Sequence, residues 1–297
     1  MIISIRENMT ILAQQAGALI QEGFYKCKPK FIVKEDGSYC TDYDKESERF
    51  IVDGIKSLYP THNVFGEEGY ALNTSKLAQH VHDCNWIVDP IDGTSCFISG
   101  QPFFSVSIAY QHQGLTQVGV VHMPILNSTL VAERGKLSTL NGQELQVVDD
   151  NRVTDPKGRQ IKNVVYTGAV HKFIHDLLSE HDQTTGLKPS VIHQLSQFKL
   201  NITTHPSTTI LLNSVVSYNT VAVMSYKKGC LYDIVAPQLA LEGRYHMCVN
   251  HCGDPIDYYK NQLVIAGHKT VVKEMIAILQ PLQDRITEVL DRRTLGC

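Results

Sequence analysis

What the 297 residues lack narrows the field first. No apolar run approaches the ~18 residues needed to cross a bilayer, which leaves no membrane-spanning helix and points to a soluble protein with no membrane partner. Charge of neither sign predominates: 27 basic against 30 acidic residues, a formal net charge of −3, supply no broad basic field. That argues against nucleic acid as a main partner. The eight cysteines, at 27, 40, 84, 96, 230, 248, 252 and 297, show no paired spacing, and the opening MIISIRENMT lacks the basic-then-apolar pattern of a signal peptide. Both features point to a reducing cytoplasm. Internal repeats and low-complexity tracts are absent too, so the chain reads as one large domain or two of ordinary size.

What is present centres on Trp86-Ile87-Val88-Asp89-Pro90-Ile91-Asp92-Gly93-Thr94-Ser95. Trp86 to Val88 read as a buried strand that runs into two carboxylates, a proline and a glycine. Pro90 forces Asp89 toward an extended backbone and Gly93 permits a tight turn, so Asp89 and Asp92 can point toward one place. Two converging like charges are unfavourable unless a cation or proton sits between them, and oxygen-only ligands suit Mg²⁺. Thr94 and Ser95 look like a helix opening, whose unpartnered amides favour a phosphate or another anion. The alternative is a loop whose aspartates and glycine merely turn the chain.

Around this stretch, Ile5, Met9, Leu12, Ala16, Leu19 and Ile20 predict an amphipathic helix over about residues 4–24. Phe31 to Lys34 predict a short strand. Thr41-Asp42-Tyr43-Asp44 open a second helix, with Phe50, Ile51, Ile55 and Leu58 as its buried stripe and Pro60 beyond its end. Asp42 and Asp44 either cap that helix or serve a site. Asn63 to Gly66 form another short strand ending in Glu67 and Glu68, which can meet Asp89 if the strands share a sheet. A solvated loop is the alternative for Glu68. Phe103–Tyr110, Val118–Met123 and Thr129–Glu133 predict an antiparallel meander, and Asn141-Gly142 a hairpin turn.

Val148 to Lys162 is polar, with Pro156 and Gly158, and divides the chain into domains 1–148 and 149–297. Beyond it the pattern alternates: strand Val164–Tyr166, helix His171–Ser179, strand Val191–Leu195, helix Thr208–Tyr218 and strand Thr220–Tyr226. Asp233 sits where a further helix begins, as a cap or as something more. A strand Gln262–Ala266, a turn at Gly267 and a helix Val271–Leu282 close the domain.

Taken together, GEE at 66–68, WIVDPIDGT at 86–94 and YDIVAP at 232–237 resemble the inositol monophosphatase family of magnesium-dependent, lithium-sensitive phosphatases. The similarity runs from the TDYD of the second helix to AGHKTVVKEMIAIL near the end. It implies a layered α+β and α/β fold, the alternating α-β-α-β-α sandwich of the inositol monophosphatase and fructose-1,6-bisphosphatase type. It also implies two or three Mg²⁺ ions per site, a small phosphorylated substrate and a homodimer. Position by position, Glu67, Asp89 and the Ile91 carbonyl would hold one metal, and Asp89, Asp92 and Asp233 a second. Glu67 with Thr94 would position the attacking water, Asp44 would bond to that threonine, and Lys34 matches a nearby basic residue. Gly93, Thr94 and Ser95 would present amides to the phosphate, and the resemblance puts Ser207, Thr208, Thr209 and Tyr226 in the substrate pocket contributed by the second domain.

Several positions depart from the family pattern. Ser95-Cys96 stands for Thr-Asn, Tyr232 for Trp, Tyr226 for a sugar-binding glutamate, and Ser207-Thr208-Thr209 for a glycine-led helix start. Glu242-Gly243-Arg244-Tyr245 stands for Glu-Ala-Gly-Gly. Related bisphosphate nucleotidases and histidinol-phosphate phosphatases share the metal motifs, and a weakened, regulatory member is the alternative that is not an enzyme. His246, Cys248, His251 and Cys252, and likewise His80, His82 and Cys84, have spacings that match no common zinc module.

Overall fold

The computed structural model describes residues 4–26, 29–35, 37–72, 77, 79–145, 153–154, 160–161, 163–167, 199–203, 207–217, 222–227, 231–242, 246–260 and 262–295. The chain divides into two compact units. The first comprises Met1–Gln146, His205–Asn213 and Leu231–Ala240; the second comprises Val147–Thr204, Ser214–Cys230 and Leu241–Cys297. The boundary expected at 148/149 lies beside the division at 146/147, but two later segments return to the first unit. Asp233, assigned from sequence to the second domain, is in one of them, because the segment that bears it packs on the first unit's sheet.

In the first unit, helix α1 (Ile5–Lys26) buries Met9, Leu12, Ala13, Ala16, Gly17, Ile20 and Gly23, the three-and-four spacing of one helical face. A two-stranded hairpin follows, β1 (Phe31–Val33) and β2 (Tyr39–Thr41). Helix α2 (Asp42–Leu58) starts at a capping box: the Thr41 hydroxyl accepts from the Asp44 amide while the Asp44 carboxylate accepts from the Thr41 amide. Its buried face is Asp44, Ser47, Glu48, Ile51, Val52 and Ile55. Phe50 and Leu58, expected on that stripe, are exposed, because the face in contact with the sheet is set by Ile51, Val52 and Ile55.

The sheet of this unit has seven strands in sequence order: β3 (Asn63–Gly66), β4 (Cys84–Asp92), β5 (Ser105–His112), β6 (Leu115–Met123), β7 (Ser128–Glu133), β8 (Thr139–Leu140) and β9 (Gln143–Glu144). Strand β3 is parallel to β4, and every later pair is antiparallel, as the predicted meander requires. Asn141 and Gly142, both at positive φ (50° and 79°), make the expected tight turn between β8 and β9. Helix α3 (Thr94–Ile98) follows β4 directly, with Gly93 at φ 90° as its N-cap. A side chain there would need an unfavourable backbone and would meet the Phe103 carbonyl oxygen at 2.7 Å.

Side chains of alternate sheet positions separate two faces. Trp86, Val88, Val106, Ile108, Tyr110, Val118, Val120 and Val131 join α1 and α2 in one core. Asp89, Ser107 and Gly119 have the other parity, and this face meets the returning segments. Those segments carry the starts of α4 (Thr208–Ser217) and α5 (Leu231–Leu241). Asn213 bonds to Met123, and a Cβ on Gly119 would stand 2.3 Å from the Ala236 carbonyl oxygen.

The second unit holds a small pair, β10 (Val153–Thr154) with β11 (Gln160–Ile161). Its five-stranded sheet has the order β13 (Lys199–Thr203), β12 (Asn163–Thr167), β14 (Ala222–Lys227), β16 (Gln262–His268), β15 (His246–Asn250). The first three strands are parallel, and β16 runs antiparallel to both of its neighbours, β14 and β15. Helices α6 (Lys269–Leu279) and α7 (Gln283–Leu295) cover a core of Val249, Leu263, Ile265, Val272, Met275, Leu279 and Ile286. Gly267, expected to turn the chain, instead continues β16, paired with both Ala222 and Met247. The expected helix His171–Ser179 and strand Val191–Leu195, and the departures at 243–245, lie outside the described residues.

The close approach at Gly119 yields a prediction. Gly119→Ala must push α5 off β6, so stability falls by about 1–3 kcal/mol, as for an overpacked core. A lower urea midpoint with an unchanged slope is the expected reading; a midpoint equal to the parent's would show that α5 does not rest on β6.

Candidate metal centre

Three devices gather the acidic residues within the first unit. The parallel register of β3 and β4 sets Gly66 beside Val88, which brings Glu67 next to Asp89. A bulge then changes parity in β4: Asp89 pairs with Ser107 and Asp92 with Ser105, so three steps on one strand match two on the other. In a regular strand, residues three apart point to opposite faces; the extra residue at Pro90-Ile91 returns Asp92 to the face of Asp89. The third device is the return of α5, which adds Asp233. Carboxylate oxygens of Asp89, Asp92 and Asp233 lie within 4.8 Å of one another. Among the described residues, no other set of three or more His, Cys, Asp or Glu gathers in this way, and neither histidine–cysteine grouping does.

The electrostatics follow from that crowding. Asp89 is buried, and its Oδ1 accepts from the Ile91 amide at 3.1 Å. Its Oδ2 is buried with no hydrogen-bond partner among the described residues. Burial first, then the charges of Glu67, Asp92 and Asp233, push the Asp89 carboxyl well above the usual range. Burial, opposed by Lys34 and aided by Glu68 and Asp233, raises Glu67 to about 7. Such a set favours a proton or a cation, and four carboxylates with no sulfur or imidazole suit a hard divalent ion.

Supporting residues hold these groups in place. The Lys34 ammonium, from the β1–β2 turn, bonds Glu67 at 3.0 Å and Glu68 at 2.7 Å. Burial works against the Lys34 charge, but both glutamates outweigh it and hold its pKa above the ordinary value. Thr94 lies 3.0 Å from the Asp44 carboxylate and 3.0 Å from the Ile91 carbonyl, and its single hydroxyl proton serves one of them at a time. Burial lifts Asp44 to about 6 against the hydrogen bonds from Thr41. Asp44 therefore completes the cap and also reaches Thr94. Gly93, Thr94 and Ser95 are half-buried at the start of α3. The neighbouring Cys96 is buried, and burial followed by the Asp92 charge pushes its thiol up to about 11, which keeps it protonated and a poor nucleophile.

Ser207, Thr208 and Thr209, read as substrate contacts, are fully buried. The Ser207 hydroxyl and Thr209 amide both donate to Asp92 Oδ2, the latter at 3.0 Å, and the Thr209 hydroxyl donates to the Asp233 carbonyl at 3.0 Å. Polar residues at this helix start satisfy the buried carboxylate, a task a glycine-led sequence leaves to the backbone. Tyr226 lies in β14 of the second unit, and its side chain is outside the described residues.

Sequence reasoning passed over Glu48, whose fully buried carboxylate accepts from the amides of Glu68 at 2.6 Å and Tyr70 at 2.7 Å, pinning the loop behind Glu67. The signal was available: positions 44, 47 and 48 continue the helical stripe 51, 52, 55, and polar residues on a buried face mark a special task.

Comparison with known proteins completes the picture. The model of the inositol monophosphatase family matches residues 5–284. A fructose-1,6-bisphosphatase/inositol-1-monophosphatase of Thermotoga maritima is 40% identical over 134 residues, 45% of this chain and 48% of that protein. A Nus factor SuhB of Pasteurella multocida is 38% identical over 136 residues (46% and 49%), and a histidinol-phosphatase of Chlorobaculum parvum 36% over 136 (46% and 50%). The chain thus spans about half the length of the curated relatives it matches. Inositol monophosphatase-II of Staphylococcus aureus superposes with a TM-score of 0.73 at 22% identity, covering 96% of this chain and 97% of that one. An IMPase of Thermotoga maritima gives 0.72 at 23%, covering 94% and 97%. These likenesses give the fold, the layered α+β sandwich expected from the motifs. With a family model that runs over nearly all of its length, this chain belongs to the inositol monophosphatase family.

Proposed function

We propose that the protein is a magnesium-dependent phosphomonoesterase that hydrolyses a small phosphorylated metabolite, with inositol monophosphate the leading substrate. The observation that carries this reading is Asp89 Oδ2: a buried carboxylate oxygen with no hydrogen-bond partner among the described residues, crowded by like charges. Glu67, Asp89, Asp92, Asp233 and the Ile91 carbonyl would hold two or three Mg²⁺ ions. When bound, such ions lower the pKa of a water molecule and neutralise charge on phosphate oxygens.

The chain's own residues supply the rest. With its proton committed to the Asp44 carboxylate, the Thr94 oxygen keeps lone pairs that accept from a water and orient it. Glu67 is the second acceptor for that water. Amides of Gly93, Thr94 and Ser95 favour the phosphate by their direction and partial charge. The attacking group in this reading is water, and the Cys96 thiol, pushed up to about 11 by burial, is a poor nucleophile. A cytoplasmic homodimer belongs to the same reading, supported by the family resemblance and by cysteines without paired spacing.

Relatives named Nus factor SuhB motivate a second reading, a binding or regulatory role. The complete carboxylate set favours the enzyme. Phosphate release from inositol 1-phosphate, histidinol phosphate and 3′-phosphoadenosine 5′-phosphate, with and without Mg²⁺, separates the two. Mg²⁺-dependent turnover of at least one ester is expected. Inactivity on the whole panel, with Mg²⁺ binding proven by calorimetry, would favour the binding role. Thr94→Ala is expected to slow turnover by about 10²-fold or more and leave Mg²⁺ affinity near the parent's; an active variant would remove Thr94 from the machinery.

The metal-free protein should also show an inverted pH response. Glu67 has a folded pKa of about 7 against an ordinary value of 4.5, so between these limits the folded state holds a proton that the unfolded chain releases. Stability therefore rises as pH falls from 8 to 6.5. Below 6.5 the buried His122 and His246, both held down to about 4, work in the opposite direction. Differential scanning of the EDTA-treated protein should show this rise. Added Mg²⁺ should raise the melting temperature more at pH 8 than at pH 6.5, because metal displaces protons. A flat profile would contradict the carboxylate crowding.

A further inference from the structure

We propose that Tyr232 is a positioning residue that ties together the backbone around the metal-binding carboxylates and thereby sets divalent-cation affinity. The inference rests on the metal-dependent reading above and adds to it a group outside the expected ligand set.

The Tyr232 hydroxyl donates to the Gly66 carbonyl at 2.9 Å, across 166 residues of sequence. Gly66 is the peptide neighbour of Glu67, and Tyr232 is the peptide neighbour of Asp233. One hydrogen bond therefore joins the residues next to two carboxylates that come from remote parts of the chain. At its other end, the Tyr232 carbonyl accepts from the Ser107 hydroxyl at 3.2 Å. Ser107 is the strand partner of Asp89. Tyr232 is thus bonded beside Glu67, continuous with Asp233 and linked to the strand position opposite Asp89.

The Gly66 carbonyl is a firm anchor because the chain around it is already held. Glu48 fixes the following segment through the Glu68 and Tyr70 amides, and its carboxyl group stands 2.5 Å from where a Gly66 Cβ would be. Gly66 donates its own amide to Leu72 at 3.3 Å. With the amide side fixed by Leu72 and Glu48, the hydroxyl of Tyr232 completes the restraint on the carbonyl side. Such a restraint matters here because four acidic groups that repel one another separate unless the backbone resists. A ligand set held ready for the ion binds it more tightly than one that must first be gathered.

The test uses the whole 297-residue chain stripped of metal. Tyr232→Phe removes one oxygen and keeps the ring. Titration calorimetry with Mg²⁺ alone should show binding about three- to tenfold weaker than the parent's, the scale of one lost hydrogen bond. A melting temperature for the metal-free variant within a few degrees of the parent's would separate positioning from a general loss of stability. Ser107→Ala, which frees the other end of Tyr232, should weaken Mg²⁺ in the same direction, and it decides the matter if Tyr232→Phe does not fold. Equal affinity of the parent and the folded variants would overturn the proposal. Failure of the parent itself to bind Mg²⁺ would overturn the metal-dependent reading instead, so the two failures are distinct.

Discussion

Mutual repulsion among Glu67, Asp89, Asp92 and Asp233 is the constraint on which the first unit depends. Burial strengthens it, since charges removed from water lose the screening that would make their proximity tolerable. Burial first, and this repulsion after it, raise the carboxyl pKa values of Glu67 and Asp89. A fold that holds such a group must restrain it from many sides. Lys34 balances Glu67 and Glu68, Ser207 and Thr209 bond Asp92, and Glu48 and Tyr232 hold the backbone beside Glu67.

These restraints reuse ordinary features of secondary structure. A capping box starts α2 and also aims Asp44 at Thr94. A bulge in β4 supplies the parity that puts Asp89 and Asp92 on one face. A glycine in β6 lets α5 descend onto the sheet close enough for Asp233 to join them. The first two features are local and the third joins remote parts of the chain, yet each decides where a carboxylate ends up. The site is consequently as stable as the sheet that carries it, and its chemistry lies at the ends and irregularities of strands, where functional groups can converge without breaking the core.

Much of this was legible in the residue order. The first helix, expected over about 4–24 and found at Ile5–Lys26, the meander and the Asn141-Gly142 turn follow from periodicity and turn chemistry, which are short-range. The motif WIVDPIDGT announced its carboxylates because Pro90 and Gly93 interrupt an apolar strand in a recognisable way. Less legible was the stripe of α2, where Phe50 and Leu58 looked buried by type yet face water while Glu48 lies inside. Residue type ranks average burial, whereas the direction of the helix face is set by what packs against it. The hydrogen bonds of Ser207 and Thr209 to Asp92 and Asp233 were likewise not legible from residue type.

By itself, the sequence determined which residue types could hold a hard cation, the kind and order of most of the described strands and helices, and the resemblance from which the family follows. Those properties depend on neighbours a few positions away or on motifs preserved as strings. Only the tertiary structure decided that Asp233 belongs with the first unit, that Tyr232 reaches Gly66, and that Glu48 turns inward. The physical reason is distance along the chain: a contact between residues 66 and 232 is formed by the register of a sheet and the descent of a helix onto it, and no local pattern of side chains encodes either one.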